Sequence, residues 1–184
     1  MASLADSTLM ERLAGGDRQA LRVLYERHAE FVHRVAYRFL RNEEDARDIT
    51  QSVFVTIMER AHRWRPEARL TTWIYRIVVN RCIDHRSRAS RRRRATVSDG
   101  DLEEIPAPEE SRPDRVVDRA EQGARLLAAM RELPERQRLA LILSRFEEQS
   151  YQEVAAALGC SKKSVESLLV RARRSLATRI SRHR

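Results

Sequence analysis

The sequence has little of what β-sheet, disulfide-rich and membrane proteins require. Of 184 residues only five are glycine, five proline and two cysteine, and 5% are aromatic. So few turn-forming and aromatic residues argue against an all-β fold. Two cysteines provide no disulfide framework, so we expect a reducing compartment. The longest purely apolar runs, such as residues 139–143, are only five residues long, far too short to cross a bilayer. The first residues lack the basic and apolar parts of a signal peptide, which favours a cytoplasmic protein.

Lysine is also scarce, and arginine supplies nearly all of the positive charge. Lysine and arginine together number 36 against 27 acidic residues, which gives a net charge of +9. The arginine guanidinium suits phosphates and the edges of bases better than a lysine ammonium does. An excess of positive charge alone indicates an anionic partner, either nucleic acid or a membrane surface.

The composition favours helices, because Ala, Leu, Arg and Glu are abundant. We predict an all-α fold of two small helical bundles, residues 1–95 and 115–184, joined by a flexible acidic linker, residues 96–114. Between residues 99 and 114 the chain has seven acids, one base and three prolines. Such a segment cannot bury enough apolar surface to become ordered.

Capping residues predict where the helices of the first bundle begin. Asp6 or Ser7 is expected to cap a short helix, Asp17 a second and Asn42 a third. A fourth helix is expected to open at residue 71 or 72. In the second bundle Pro134 should stand at or just before the first turn of a helix.

The C-terminal segment has the pattern of a helix-turn-helix. Ser150 and Glu153 form a candidate capping box, Gly159 is placed to end that helix, and Ser161 can cap the next. Small and apolar residues at 155, 159 and 165 suit two closely crossed helices. From residue 160 to residue 184 there are eight bases and one acid. An ordinary helical hairpin is the alternative, but the basic charge on this element favours DNA binding.

Aromatic, amide and arginine side chains collect near the break before the fourth helix. Together these side chains can stack on and read unpaired bases. We expect Trp73 to be core, whereas Trp64 lies in a polar loop and either contacts a base or packs.

The whole chain resembles bacterial RNA polymerase sigma factors of the sigma-70 family, in the extracytoplasmic-function (ECF) group. The matching segments are residues 16–21 (GDRQAL), 45–54 (DARDITQSVF), 70–80 (LTTWIYRIVVN), 133–135 (LPE), 150–155 (SYQEVA) and 171–173 (RAR). The resemblance implies that the first bundle is sigma region 2 and the second is region 4, with no region 3 domain between them.

The resemblance also implies roles for individual residues. The face that bears Asp45, Asp48 and Gln51 would dock on the clamp helices of core RNA polymerase. Recognition and melting of the −10 promoter element would involve Trp64, Arg65, Arg69, Leu70, Arg76, Asn80 and Arg81. The recognition helix would read the −35 element in the major groove through Ser161, Lys162, Lys163, Ser164, Glu166, Ser167, Val170, Arg171 and Arg174.

Further partners are implied by the same resemblance. The acidic linker would thread the RNA-exit path of the polymerase, and factors of this group are commonly held by an anti-sigma protein. One departure from the family concerns Glu166, because the family often has basic residues near this point. Glu166 either accepts a hydrogen bond from a cytosine amino group or lies outside the groove.

Two other classes of function fit the sequence less well. A stand-alone helix-turn-helix regulator would leave the first bundle without a role. An enzyme is disfavoured, because His28 and His33 do not share a helix face and no nucleophile–base pair is evident.

Cys82 and His85 could form half a metal site, but no second Cys/His pair lies near them. We therefore expect no metal, no cofactor and no catalytic residue.

Overall fold

The computed structural model describes residues 4–67, 69–96, 123 and 126–182. Every regular element in these ranges is helical, which confirms the predicted all-α fold. The predicted linker beyond Thr96 and the first residues of the predicted second bundle, 115–122, lie outside the described residues.

The first module comprises four helices: α1 (Asp6–Ala14), α2 (Arg18–Leu40), α3 (Glu43–Arg60) and α4 (Leu70–Thr96). A single 3₁₀ turn, Ala61–Arg63, follows α3. The helix α4 begins at residue 70, one residue before the range that the sequence predicted.

The predicted caps of α2 and α3 are confirmed. The Asp17 carboxylate accepts from the Gln19 amide, and the Asn42 side chain accepts from the Asp45 amide. The predicted cap of α1 is wrong, because the helix starts at Asp6 itself and has no side-chain cap. The Asp6 carboxylate instead lies 2.8 Å from a nitrogen of Arg27 and 2.9 Å from Nε2 of His28. These contacts join the start of α1 to α2.

The second module comprises α5 (described over residues 126–131), α6 (Glu135–Leu141), α7 (Tyr151–Leu158) and α8 (Lys162–Arg182). Pro134 immediately precedes α6, as predicted. A π-helical turn, Ile142–Phe146, continues α6 and was not predicted. It ends where the Glu147 amide donates to the Ile142 carbonyl at 3.2 Å.

One hydrophobic core runs through both modules. In the first it includes Val32, Phe39 and Ile74, and in the second Leu139 and Leu169, all at most 1% exposed. The helices α4 and α7 pack against each other, and α2 contacts the π-helical turn. The sequence predicted two bundles on a tether, and the structure adds that they lie in direct contact.

Candidate nucleic-acid and polymerase interfaces

The helix-turn-helix forms as its capping residues predicted. The Ser150 amide donates to Glu153 Oε2 at 2.9 Å, and the Glu153 amide donates to Ser150 Oγ at 3.3 Å, which completes the capping box. The side-chain hydrogen bond from Ser150 is the main cause that lowers the pKa of Glu153. Gly159 ends α7 with φ of 61°, and the Ser164 amide donates to Ser161 Oγ at 3.2 Å. The turn between α7 and α8 is therefore fixed at both ends.

The outer face of α8 is open to solvent. Val165, Leu169 and Ala172 are fully buried and fasten α8 to its own module. The side chains predicted to contact the −35 element are all exposed: Ser161, Lys162, Lys163, Ser164, Glu166, Ser167, Val170, Arg171 and Arg174. The structure thus places all of them on the solvent side of one helix and its cap.

A groove of about 480 Å³ lies beside the N-terminal half of α8, and Lys163, Ser164, Ser167 and Arg171 help to line it. A further cation in this groove, Arg136 of α6, was not predicted from the sequence. Arg136 donates to the Leu158 carbonyl at 2.9 Å, so its guanidinium is held against the end of α7. No local sequence signal could have placed Arg136 here, because the contact depends on how α6 crosses α7. The groove, which Ser161 also lines, therefore combines three cations with three hydroxyls.

Two of the residues predicted to contact the −10 element are buried in this conformation. Trp64 is 8% exposed and Leu70 is 5% exposed, and both belong to the hydrophobic core. Trp64 lies in the loop between the 3₁₀ turn and α4, as predicted, and the turn directs the chain back onto the core. Its indole Nε1 has no hydrogen-bond partner among the described residues. The packing alternative for Trp64 fits this conformation.

The remaining residues predicted for the −10 element differ in their surroundings. Arg76 and Asn80 are exposed one helical turn apart on α4. Arg81 is half-buried and donates to Thr56 Oγ1 at 2.6 Å. Arg65 is exposed and donates to the His62 carbonyl at 3.3 Å. Arg69 is exposed but pairs with Glu153 at 3.1 Å.

The face of α3 predicted to dock on the polymerase is partly apolar. Asp48 and Gln51 are exposed, whereas Asp45 is half-buried and lies 3.1 Å from Nε2 of His85. On the same helix Val55 is 48% exposed and Met58 is 41% exposed, although both are large apolar residues. The spacing 48, 51, 55 and 58 places the four on one face, and this signal was available in the sequence. A cavity of about 380 Å³ between α2 and α3 borders this face at Gln51.

The two modules share buried charges. The Glu147 side chain, 2% exposed, accepts from Arg34 at 3.0 Å and also from Arg38, both on α2. The hydrogen bond that Arg34 donates to Glu147 raises the pKa of Arg34. From α6 the buried Arg138 donates to the Phe39 carbonyl at 2.9 Å. Burial lowers the pKa of Arg138 to about 10, so it remains protonated at neutral pH.

The two cysteines are free, and Cys82 is fully buried. Burial raises the pKa of the Cys82 thiol to about 12, so it carries a proton at neutral pH and is a poor metal ligand or nucleophile. The part of the chain that the structure describes contains no group of three or more potential metal ligands.

No helix among the described residues combines the length and the apolar character that crossing a membrane demands.

Comparison with known proteins gives two matches to family models. Residues 24–92 match the model described as sigma-70 region 2, and residues 123–176 match the one described as sigma-70, region 4. The two matched ranges correspond to the first and second modules.

Individual relatives agree with the family models. The chain is 32% identical over 176 residues to the ECF RNA polymerase sigma factor SigM of Mycobacterium tuberculosis, covering 94% of this chain and 83% of SigM. It is also 32% identical to the ECF RNA polymerase sigma factor SigE of Mycolicibacterium smegmatis, with 87% of this chain covered but only 61% of the length of SigE. The solved structure of CnrH in complex with the cytosolic domain of CnrY superposes with a TM-score of 0.67, at 26% identity over 94% of this chain and 95% of CnrH.

Proposed function

Because the chain belongs to the ECF group of bacterial sigma-70 RNA polymerase sigma factors, we propose that it directs core polymerase to promoters through two DNA-binding modules. The second module binds the −35 element, and the first binds and helps to melt the −10 element. Members of this family are transcription initiation factors rather than catalysts. Activity is therefore measured as DNA binding, promoter opening and transcript formation.

The proposed −35 contacts divide into phosphate-binding and base-reading residues. Lys163 and Arg171, with Arg136 across the groove, are placed to hold phosphates, which positions α8 on the duplex. Ser164, Glu166 and Ser167 lie on the exposed surface and would reach base edges in the major groove. Among these Glu166 is suited to accept from a cytosine amino group.

In the proposed −10 site, DNA would contact the exposed face of α4 before it contacts the buried residues. Arg76 and Asn80 are accessible without any rearrangement. Trp64 and Leu70 are buried, so a contact between a flipped base and these residues requires the loop to open. Flipping a base costs a few kcal/mol, which stacking and hydrogen bonding in the pocket would offset.

The proposed polymerase contact is the outer face of α3. Asp48 and Gln51 supply a carboxylate and an amide, and Val55 and Met58 supply apolar area beside them. An exposed apolar patch with a polar rim is typical of a protein-binding surface. Asp45 belongs to the same helix, but its contact with Nε2 of His85 at 3.1 Å links it to α4 as well.

Three further proposals concern the cellular context and the partners. The protein would act in the cytoplasm, where core polymerase is found. An anti-sigma protein is a suitable second partner, because the similar protein CnrH was solved with the cytosolic domain of another protein. The acidic linker would lie in the RNA-exit path of the polymerase, where its carboxylates would take the place of nucleic acid.

The observation that carries this proposal is the exposed basic face of α8 behind a fully capped helix-turn-helix. The test is transcription with purified components on a library of promoter fragments from the source genome. We expect run-off transcripts only when both this protein and core polymerase are present. Specific duplex binding by the protein alone, without core-dependent transcripts, would favour a stand-alone helix-turn-helix regulator.

A further inference from the structure

The helix α4 extends well beyond the core of the first module. Cys82 is its last buried residue, yet the helix continues to Thr96, about four turns further along. Three of the exposed side chains in this extension are arginines, Arg88, Arg91 and Arg92, which we call the arginine arm. None of the exposed side chains that the structure describes in this extension is apolar. The end of α4 therefore presents a cationic surface to solvent.

The arginine arm continues the face of α4 that is proposed for the −10 element. Arg91 follows Asn80 by three helical turns, so it lies about 16 Å further along the helix and only about 20° around it. Arg88 precedes Arg91 and Arg92 by three and four residues, so the three side chains are neighbours on the helix surface. The face that bears Arg76 and Asn80 thus leads to a cluster of three cations.

Stabilisation of the helix itself does not account for the arginine arm. Cations near a helix C-terminus interact favourably with the helix dipole, but this effect is confined to the last turn. Arg88 lies more than two turns before the end of α4. Nearby, Arg86 pairs with Glu135 of α6 at 3.3 Å, whereas no described residue forms an ion pair with Arg88. The charge of the arm is therefore available to a partner.

The chemistry of the arm favours nucleic-acid phosphates over other anionic partners. Helices that bind membrane surfaces carry an apolar face beside their cations, and protein-binding hot spots are usually centred on an apolar or aromatic anchor. The exposed side chains described here include neither. A guanidinium presents a planar fork of donors that matches the oxygens of a phosphate. Each strand of duplex DNA offers such a phosphate about every 3.4 Å, so an adjoining stretch of the same duplex can fill the arm.

We propose that the arginine arm binds backbone phosphates of the promoter spacer, about five base pairs upstream of the bases that Asn80 contacts. This proposal rests on the proposed function, because the position follows from the assignment of Asn80 to the −10 element. The upstream direction follows from Arg86, whose pairing with Glu135 places the end of α4 beside the module assigned to the −35 element. Phosphate contacts carry no base-sequence information, so the arm would strengthen binding to promoters whatever their spacer sequence.

The first experiment compares two variants that each lose two positive charges. One is Arg88→Gln with Arg91→Gln in the arm, and the other is Arg18→Gln with Arg22→Gln on α2, where both arginines are exposed. A general effect of net charge would appear in both variants. Glutamine has nearly the helix propensity of arginine, so α4 should remain folded, which circular dichroism verifies.

The measurement is the salt dependence of DNA binding by the holoenzyme. The probe is a promoter duplex that yields a run-off transcript with wild type. For the arm variant we expect the log–log slope of affinity against salt concentration to become shallower by about 1.8, which corresponds to two lost phosphate contacts. The α2 variant should keep the wild-type slope. Arg88→Lys with Arg91→Lys retains both charges and should largely restore the slope.

A second experiment locates the contact on the DNA. Single phosphates about three to seven base pairs upstream of the −10 element are replaced by neutral methylphosphonates, a window that brackets the proposed position. We expect two or three of these replacements to weaken wild-type binding several-fold. The same replacements should have little effect on Arg88→Gln with Arg91→Gln, because the partner of the phosphate is already missing.

Either of two results would overturn the proposal. If the arm variant keeps the wild-type salt slope, the arm does not hold phosphates. If the slope falls but each methylphosphonate weakens the arm variant as much as it weakens wild type, the arm binds an anion elsewhere than in the spacer.

Transcription separates this proposal from the proposed function. If wild type and core polymerase yield no run-off transcript from any promoter fragment, the proposed function fails. If transcripts form but the arm variant matches wild type in salt slope and in response to methylphosphonates, the spacer contact alone fails.

Discussion

Arg81 of α4 donates a hydrogen bond to Thr56 Oγ1 of α3 at 2.6 Å, and this bond orients one of the side chains proposed for the −10 site. Thr56 is 2% exposed and itself donates to the Ser52 carbonyl, so its hydroxyl is fixed. An arginine held in this way keeps other donors free for a DNA backbone. The proposed −10 site therefore depends on α3 as well as on α4.

Thr56→Val removes the hydroxyl that orients Arg81 without touching the proposed DNA surface. We expect Thr56→Val to lower promoter opening a few-fold, since the lost hydrogen bond is worth about 1 kcal/mol. Permanganate reactivity of promoter thymines measures the opening. In an Arg81→Ala background, Thr56→Val should cause no further loss of promoter opening, because the effects of substituting two coupled residues are not additive. Thr50→Val, which also alters a buried threonine of α3, serves as the control. Additive losses would mean that Thr56 acts independently of Arg81.

Asp48→Arg combined with Gln51→Ala tests the proposed polymerase-docking face. We expect the double variant to bind core polymerase at least about tenfold more weakly, because a repulsive cation replaces an acceptor at the proposed contact. Competition for a limiting amount of core polymerase against labelled wild type measures the affinity. Glu11→Arg, an exposed charge reversal on α1, should compete as wild type does. Undiminished competition by the double variant would remove this face of α3 from the interface.

Arg171→Ala and Arg136→Ala test whether the groove beside α8 holds phosphates. Each substitution should weaken DNA binding across sequences and lower the salt dependence of binding by about 0.9 in the log–log slope. Titrations of promoter duplex at several salt concentrations, with holoenzyme, measure the slope. Arg173→Ala is the control, because Arg173 is exposed on α8 but points about 200° away from Arg171. If Arg136→Ala leaves the slope of DNA affinity against salt concentration unchanged, Arg136 supports α7 and does not hold a phosphate.

Gly159→Ala should destabilise the protein through the backbone rather than through packing. Gly159 has φ of +61°, and a Cβ placed there would meet nothing within 4 Å. The expected loss is about 1–2 kcal/mol in the free energy of unfolding, the cost of the left-handed conformation for a residue with a Cβ. Urea denaturation measures it. Gly159→Asn should lose less, since asparagine tolerates this conformation better. Equal losses for alanine and asparagine would point to a cause other than the backbone.

The parts of the fold that depend on neighbouring residues were predictable from the sequence. Asn42, Ser150 and Gly159 act within one helical turn of their positions, and each occupies the predicted cap. The outward face of α8 was also predictable, because helical periodicity separates its buried residues from its exposed ones.

The parts that were wrong or missed depend on residues distant in sequence. Asp6 does not cap α1, because Arg27 and His28 are available to it in the folded chain. The sequence left Trp64 either to contact a base or to pack, and only the return of the chain onto the core buries it. The ion pairs of Glu147 join segments more than 100 residues apart, which no local pattern indicates. The roles of the site residues on DNA and polymerase stay predictions, because they depend on partners outside this chain.

In the π-helical turn Ile142–Phe146, the number of residues matters more for the structure than the identity of the apolar ones. A π-helical turn accommodates one more residue than an α-helical turn, and here Phe146 comes to lie outside while Glu147 lies inside. Deletion of one residue from the turn would barely change its composition, yet would rotate the next part of the chain by about 100° about the helix axis. The carboxylate would then leave its arginine partners, and the phase between α6 and the helix-turn-helix would be lost. Deleting one residue from this segment is therefore expected to disrupt the fold far more than substituting one of its apolar residues by another.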